Sequence, residues 1–304
     1  MTGTAARVGF IGLGDQGGGM AHRLLDCGLP TTLWARRPTT LEPFAGTAAT
    51  VAATPAELGS LSDVVGICVV DDAGVEEVVL DSNGVLAGMS PGSVLALHST
   101  ISLETCGRVG AAAEAVGVGV IDAPVSGGGA AAANGELTVL VGGPGELVEQ
   151  VRPVFDTFAN SVIYLGPLGS GLITKLVNNT LHAAHYALAH DALNAGAALG
   201  IDPAALGQAL SVSSGNSFSL STAVRMGGLE ALAPFVGALL RKDVGIFDEL
   251  VAKHGADSGM LVAVADEALG YFNHPRGHQP VETPSDLAPG DDESLSCGGN
   301  PYSD

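Results

Sequence analysis

The segment Gly166 to Leu181 reads GPLGSGLITKLVNNTL and holds one of only three lysines in a chain of 304 residues. Lys175 lies among Leu172, Ile173, Leu176, Val177 and Leu181, at the start of an apolar helical stretch. An ammonium group placed there loses hydration, and desolvation disfavours its charged form. Its pKa moves toward the range in which one group can give and take a proton near neutrality. Asn179 follows at i+4 on the same helix face, placed to orient the amine or an oxygen beside it. Asn178 lies further round the helix, where it caps or bridges. Reducing a carbonyl by hydride puts negative charge on the oxygen, so an acid must donate a proton as the hydride arrives. Lys175 fits that donor and Asn179 its aligner. The ordinary alternative is a lysine that snorkels to the surface.

A hydride needs a carrier. Gly12-Leu13-Gly14-Asp15-Gln16-Gly17 directly follows an apolar run and opens a helical stretch through Met20 to Leu25. Glycines at this spacing permit a tight turn, and they let a pyrophosphate approach the amides at a helix N-terminus. A second apolar run, Thr31 to Trp34, is followed by Ala35-Arg36-Arg37 with no acid to meet a ribose 2′-hydroxyl. Two of the nine arginines of the chain fall at this turn. A guanidinium holds a 2′-phosphate in a bidentate grip, so NADP is expected in preference to NAD. Ser126-Gly127-Gly128 offers exposed backbone N–H groups, a cradle for the carboxylate of a small substrate.

The elements that must position these groups follow from periodicity. Val8 to Gly12, Thr31 to Trp34, Val64 to Val70, Ser93 to His98 and Val118 to Asp122 read as strands, continuous rather than alternating in hydrophobicity. Strands of that kind are buried on both faces, which points to a parallel doubly wound sheet of the Rossmann type. Leu137 to Val141 and Val162 to Leu165 would close this unit. After Gly171 a long helix, Leu172 to Leu199, leads into an all-α second domain, with a restart at Asp202-Pro203 and helical character to about Phe272. The expected fold is therefore α/β: an N-terminal NADP-binding Rossmann domain (residues 1–166), then an all-helical substrate and dimerisation domain (167–274). Residues 275–304, rich in Pro, Gly, Ser and acids, read as a flexible acidic tail. The long helix is apolar on several faces, so a homodimer is expected.

Bulk composition narrows the partners. Charged residues are 14% of the chain, formal net charge is −20, and mean hydropathy is +0.36. Such a chain has a sizeable core and no field that favours nucleic acid or an anionic membrane. No stretch is apolar for the ~20 residues a membrane span needs. The cysteines Cys27, Cys68, Cys106 and Cys297 lack CxxC spacing. With no signal peptide visible, a reducing cytoplasm is expected.

Several segments together resemble the β-hydroxyacid dehydrogenase family, which includes 3-hydroxyisobutyrate dehydrogenase and semialdehyde reductases. They are Gly9-Phe10-Ile11-Gly12-Leu13-Gly14 with Met20, Ser99-Thr100-Ile101-Ser102, Asp122-Ala123-Pro124-Val125-Ser126-Gly127-Gly128, GSGLITKLVNN, and Phe235 followed by Lys242-Asp243. The resemblance spans roughly residues 7 to 272. It implies that Lys175 is the catalytic lysine, with Asn179 as its partner and Asn178 beside the substrate. It implies that Ser126, Gly127 and Gly128 hold the substrate carboxylate and that Thr100 lies beside cofactor and substrate. It also implies that the backbone at Cys68 and Val69 runs along the cofactor, and that Lys242 reaches the site from the helical domain. Two of the three lysines falling on motif positions tells against mere snorkelling.

Three positions depart from the family pattern. Leu103 stands where proline is usual, Ala35 where Asn is frequent, and His98 where an acid is common, which is expected to alter the polarity of the pocket. His182 and His185 have the i, i+3 spacing of a metal pair, but no acidic context accompanies them, so no metal is expected. Asp71-Asp72 reads as the start of a turn. The rival functions are NADPH-dependent imine reduction, whose enzymes share the two-domain plan but generally lack this lysine, and a cofactor-binding regulator without catalysis.

Overall fold

The computed structural model describes residues 5–277. The chain opens with β1 (Val8–Ile11), the glycine loop and α1 (Asp15–Asp26), then β2 (Thr31–Trp34), a three-ten helix over Pro38–Phe44, and the short β3 (Thr50–Val51). There follow α2 (Pro55–Ser60), β4 (Val64–Ile67), α3 (Asp72–Leu80), α4 (Val85–Gly88), β5 (Val94–Leu97), α5 (Leu103–Glu114) and β6 (Gly119–Asp122). Every residue of β1, β4 and β5 is buried, because helices cover both faces of the sheet. Successive side chains point to opposite faces. Val8, Phe10, Val94 and Ala96 therefore enter one core with Met20 and Leu24, while Ile11, Val65, Leu95 and Leu97 enter the other with Leu58 and Val75.

The unit closes with β7 (Val125–Ser126), α6 (Gly128–Asn134), β8 (Leu137–Gly142), α7 (Gly145–Phe155) and β9 (Ala159–Gly166). The strand order is β3-β2-β1-β4-β5-β6-β8-β7, with β9 on β8. The expected parallel pairing holds from β3 to β6, but β8 runs antiparallel to β6 and β7. Helix α6 covers only about 10 Å, too little to carry the chain back along a strand of about 20 Å, so β8 returns in the opposite sense. The two-residue strands β3 and β7 are too short to leave a hydrophobic period in the sequence.

Beyond Gly166 the regular elements among the described residues are all helices: α8 (Ser170–Ala198), α9 (Pro203–Ser211), α10 (Phe218–Met226), α11 (Leu229–Lys253) and α12 (Leu261–Tyr271). Asp202 caps α9 by accepting from Ala205 N, and Ser217 caps α10 through Leu220 N. A third core joins Leu176, Ala183 and Tyr186 of α8 to Leu240, Val244 and Phe247 of α11 and Leu269 of α12. Ile173, Val177, Leu181 and Leu188 of α8 stay exposed. Pro275–Gly277 has no regular structure, yet Arg276 is held there. Its guanidinium donates to Asp266 at 2.7 and 2.9 Å, to Asp248 at 3.0 Å and to the Val244 carbonyl at 3.2 Å. The rest of the expected acidic tail lies outside the described residues.

Candidate active site

The strand order reverses between β1 and β4, and the crevice beyond the ends of these two strands is where such a sheet binds ligands. Gly12 leaves β1 with φ +97°, and a Cβ there would fall 2.2 Å from the carbonyl oxygen of Cys68, which follows β4. A Cβ on Gly17 would fall 1.9 Å from the Gly12 carbonyl. Both glycines are therefore obligatory, one for the turn and one for the seat of α1 against it. No side chain caps α1 at Gly14, so its first N–H groups remain available to phosphate oxygens. These residues fit a dinucleotide. Leu13 is buried, Gln16 half-buried and Asp15 exposed. The Asp15 carboxylate packs against Gly129, whose Cβ would lie 2.2 Å from Oδ1. The glycine loop thus abuts the Ser126–Gly128 loop.

At the end of β2, Ala35 packs on the core, and Arg36 and Arg37 are exposed. Arg36 Nη1 pairs with Glu77 Oε2 of α3 at 2.9 Å. Cys68 and Val69 continue from β4: Cys68 N bonds the Ile11 carbonyl at 2.8 Å, and Val69 N is taken by Ser99 Oγ at 2.8 Å. Asp72 does more than begin a turn, since its Oδ1 accepts from Ser102 N and Ser102 Oγ. Two hydrogen-bonded ties therefore join the β4 exit to the Ser99–Ser102 segment.

Lys175 is positioned by a residue far away in sequence. Asp122, at the end of β6, is buried, and its carboxylate accepts from Gly169 N at 2.6 Å and Leu172 N at 2.7 Å. Gly169, the N-terminal cap of α8, supplies no side chain, and Asp122 takes its place. Burial raises the Asp122 pKa even against the opposing backbone bonds. From this anchor α8 carries Lys175 into the protein, where it is 9% exposed. Burial pushes its pKa down to about 8; nearby Asp243 opposes that shift and nearby Lys242 adds to it. Its ammonium group has no protein hydrogen-bond partner among the described residues, so its protons remain free for a ligand.

Around it runs a polar chain. Asn178 Nδ2 donates to Asn179 Oδ1 at 3.1 Å, and Asn179 Nδ2 donates to Asp243 Oδ2 at 2.6 Å. Asp243 is buried, with Lys242 Nζ 2.9 Å from its Oδ1. That contact is an ion pair without hydrogen-bond alignment, and it leaves Oδ1 with no hydrogen bond. Lys242 also donates to the Thr100 carbonyl, tying α11 to the β5 exit. The Asn179 amide is engaged by Asn178 and Asp243, with one N–H proton left over. Ser126, half-buried, pairs with Thr138 across β7 and β8, and Gly127 (φ +135°) and Gly128 (φ +76°) open α6.

The expectation for His98 is corrected. Its ring lies in the core against Phe10, Phe155 and Phe158, with Nδ1 bonded to the Ala123 carbonyl at 2.7 Å. Burial holds its pKa down at about 4. The residue occupies a position on the aromatic side of β5, so it contributes to packing rather than to the pocket. No group of His, Cys, Asp and Glu suited to a metal ion exists among the described residues. Sequence reasoning gave no role to Asp122, Ser99 or Asp243. Asp122 and Asp243 lie inside the family motifs; for Asp122 the signal is an acid in otherwise apolar surroundings, whereas Asp243 follows Arg241 and Lys242 and carries no such signal.

Residues 7–166 match the family described as the NAD binding domain of 6-phosphogluconate dehydrogenase, and residues 169–278 that described as NAD-binding of NADP-dependent 3-hydroxyisobutyrate dehydrogenase. The NAD-dependent L-serine dehydrogenase of Pseudomonas aeruginosa is 31% identical over 262 residues, 84% of this chain and 88% of that protein. Mitochondrial 3-hydroxyisobutyrate dehydrogenase of Mus musculus is 32% identical over 247 residues, 79% of this chain and 74% of that protein. The solved structure of Mycobacterium tuberculosis 3-hydroxyisobutyrate dehydrogenase with L-serine superposes with a TM-score of 0.78 at 27% identity, covering 89% of this chain and 94% of that one. With the dinucleotide crevice at β1 and β4 and helices that match the family's second half, the chain belongs to the β-hydroxyacid dehydrogenase family, NAD(P)-dependent oxidoreductases of small hydroxyacids.

Proposed function

We propose that Lys175 is the general acid and base of a 3-hydroxyacid dehydrogenase or semialdehyde reductase that prefers NADP to NAD. The observation that carries this is a buried lysine with a pKa near 8 and no protein partner for its ammonium, beside Asp243, Lys242 and Cys68. When bound, the nicotinamide supplies or takes up the hydride. As an ammonium, Lys175 gives its proton to the carbonyl oxygen in reduction; as a neutral amine, it takes the proton from the hydroxyl in oxidation. Asp243 holds Asn179 and Asn178 in line along α8 and balances the charge of Lys242. The N–H groups of Ser126, Gly127 and Gly128 take the substrate carboxylate. The relatives named above act on small acids with a hydroxyl at C3, which supports the same substrate class here.

Arg36 and Arg37 support the NADP preference, with Arg36 exchanging Glu77 for a 2′-phosphate. The exposed apolar stripe Ile173, Val177, Leu181 and Leu188 supports a homodimer through α8. No described helix is long and apolar enough to cross a membrane, and Cys27, Cys68 and Cys106 are free thiols. These features support work in the cytoplasm. The test is absorbance of reduced nicotinamide, with NADPH and NADH in turn, against short carboxylated aldehydes and cyclic imines. Lys175→Ala should bind NADPH yet lose turnover by about 10³-fold or more. Unchanged turnover in that variant removes Lys175 from the mechanism, and turnover of imines alone replaces the substrate class.

A further inference from the structure

His182 is the polar residue on the Lys175 face of α8 that the hydride chemistry leaves unused. It follows Lys175 by seven positions and Asn179 by three, which puts the three side chains on one helix face. His182 Nδ1 lies 2.6 Å from Ser219 Oγ, and Ser219 Oγ donates to the His182 carbonyl at 2.9 Å. A hydroxyl has one proton and a carbonyl only accepts, so both contacts are hydrogen bonds only if Nδ1–H donates to Oγ. The tautomer is thereby fixed, and Nε2 is left as a lone-pair acceptor with no protein donor among the described residues. The ring is held between Tyr186 and Phe218, at centroid distances of 4.6 and 5.7 Å, and Ser219 beneath it is fully buried. Burial, then the charges of Lys175 and His185, hold its pKa down at about 4, so the acceptor stays unprotonated at neutral pH.

We propose that His182 Nε2 is a specificity-determining acceptor for a second hydroxyl of the substrate, one or two carbons beyond the reacting carbon. The enzyme then selects polyhydroxylated acids over acids that are alkyl at that point. The assignment rests on the reading above, with the reacting oxygen at Lys175. The axial rise from Lys175 to His182 is about 10.5 Å, comparable with the roughly 8–11 Å spanned by two hydrogen bonds of about 2.8 Å and the roughly 3–5 Å between oxygens on neighbouring or next-but-one carbons of a polyol. An alkyl group would leave a half-buried lone pair unpaired, which costs affinity, whereas a hydroxyl satisfies it. An ammonium at the same place would meet the charges of Lys175 and Lys242, so a neutral hydroxyl is the donor that fits.

The experiment compares kcat/KM with NADP⁺ for 3,4-dihydroxybutanoate and 3-hydroxybutanoate, which differ by that one hydroxyl, in wild type, His182→Leu, His182→Gln and Ser219→Ala. Wild type should favour the dihydroxy acid about tenfold. His182→Leu should erase the preference through KM rather than kcat, His182→Gln should keep part of it, and Ser219→Ala should weaken it by releasing the tautomer. Equal use of both acids by wild type, or an undiminished preference in His182→Leu, overturns the proposal. If His182→Leu does not fold, Ser219→Ala decides, and an undiminished preference there overturns it as well. Turnover of neither acid with either nicotinamide removes the substrate class and this assignment with it; equal turnover of both removes the assignment alone.

Discussion

Replacing Asp122 tests whether the long helix is set from the sheet. In Asp122→Ala, the N–H groups of Gly169 and Leu172 lose an acceptor in a site the protein encloses. Each orphaned buried donor costs about 1–3 kcal/mol, so the pair costs about 2–6 kcal/mol. Part is returned because the variant no longer buries a carboxylate, and burial is the main cause of that group's raised pKa. A net loss of about 2–4 kcal/mol remains, which for a chain of this size lowers Tm by roughly 3–6 °C. Activity should suffer beyond stability. Lys175 begins less than a turn after Leu172, and a shift of about 1 Å at the reacting group can cost about 10²-fold in kcat. Asp122→Asn keeps one acceptor oxygen and should recover part of both losses. Thermal unfolding and steady-state kinetics at saturating cofactor read the two effects separately. A Tm and a kcat both within error of wild type in Asp122→Ala would refute the anchoring role.

Oxidation of the hydroxyacid should rise with pH through a midpoint near 8 as Lys175 becomes neutral, and reduction should fall through the same midpoint. A flat profile across that midpoint removes the lysine from the proton step. His98 and His182 both titrate near 4 in the folded protein against an ordinary 6.5. The unfolded chain binds more protons between those values, so stability is full above about pH 6.5 and falls toward pH 4. His98 alone contributes on the order of 3 kcal/mol to that fall, so urea denaturation of His98→Phe should show a shallower acid limb, and an unchanged limb counts against it. Arg36→Ala with Arg37→Ala should weaken NADPH about 10²-fold and leave NADH nearly unchanged. Equal weakening of both cofactors by titration would place the arginines elsewhere.

The parts that were legible in the sequence are those with a local signal. Continuous apolar runs gave β1, β4 and β5, Asp202-Pro203 gave the start of α9, and glycine spacing gave the β1–α1 turn. Lys175 stood out because a cation among Leu172, Leu176 and Leu181 has no local explanation. The supports of that lysine were not legible, because each is a contact across the sequence. Asp122 meets Gly169 and Leu172 only after β6 and α8 have come together. Asp243 meets Asn179 across two helices. His98 misled for the same reason: its neighbours in sequence border the site, but the pleat of β5 turns its ring into the opposite core.

Arg276 ties residues beyond the last described helix back to the helical domain. Among the described residues the last helix ends at Tyr271, yet the Arg276 guanidinium joins Asp248 of α11 to Asp266 of α12, and its side chain is only 16% exposed. Removing residues from 275 onward would strip both carboxylates of that cation and loosen the hold between the two helices. Those helices carry Lys242 and Asp243 to Lys175. A shortened version of this protein should therefore keep Arg276, because a cut at the end of α12 would be felt at the reacting carbon.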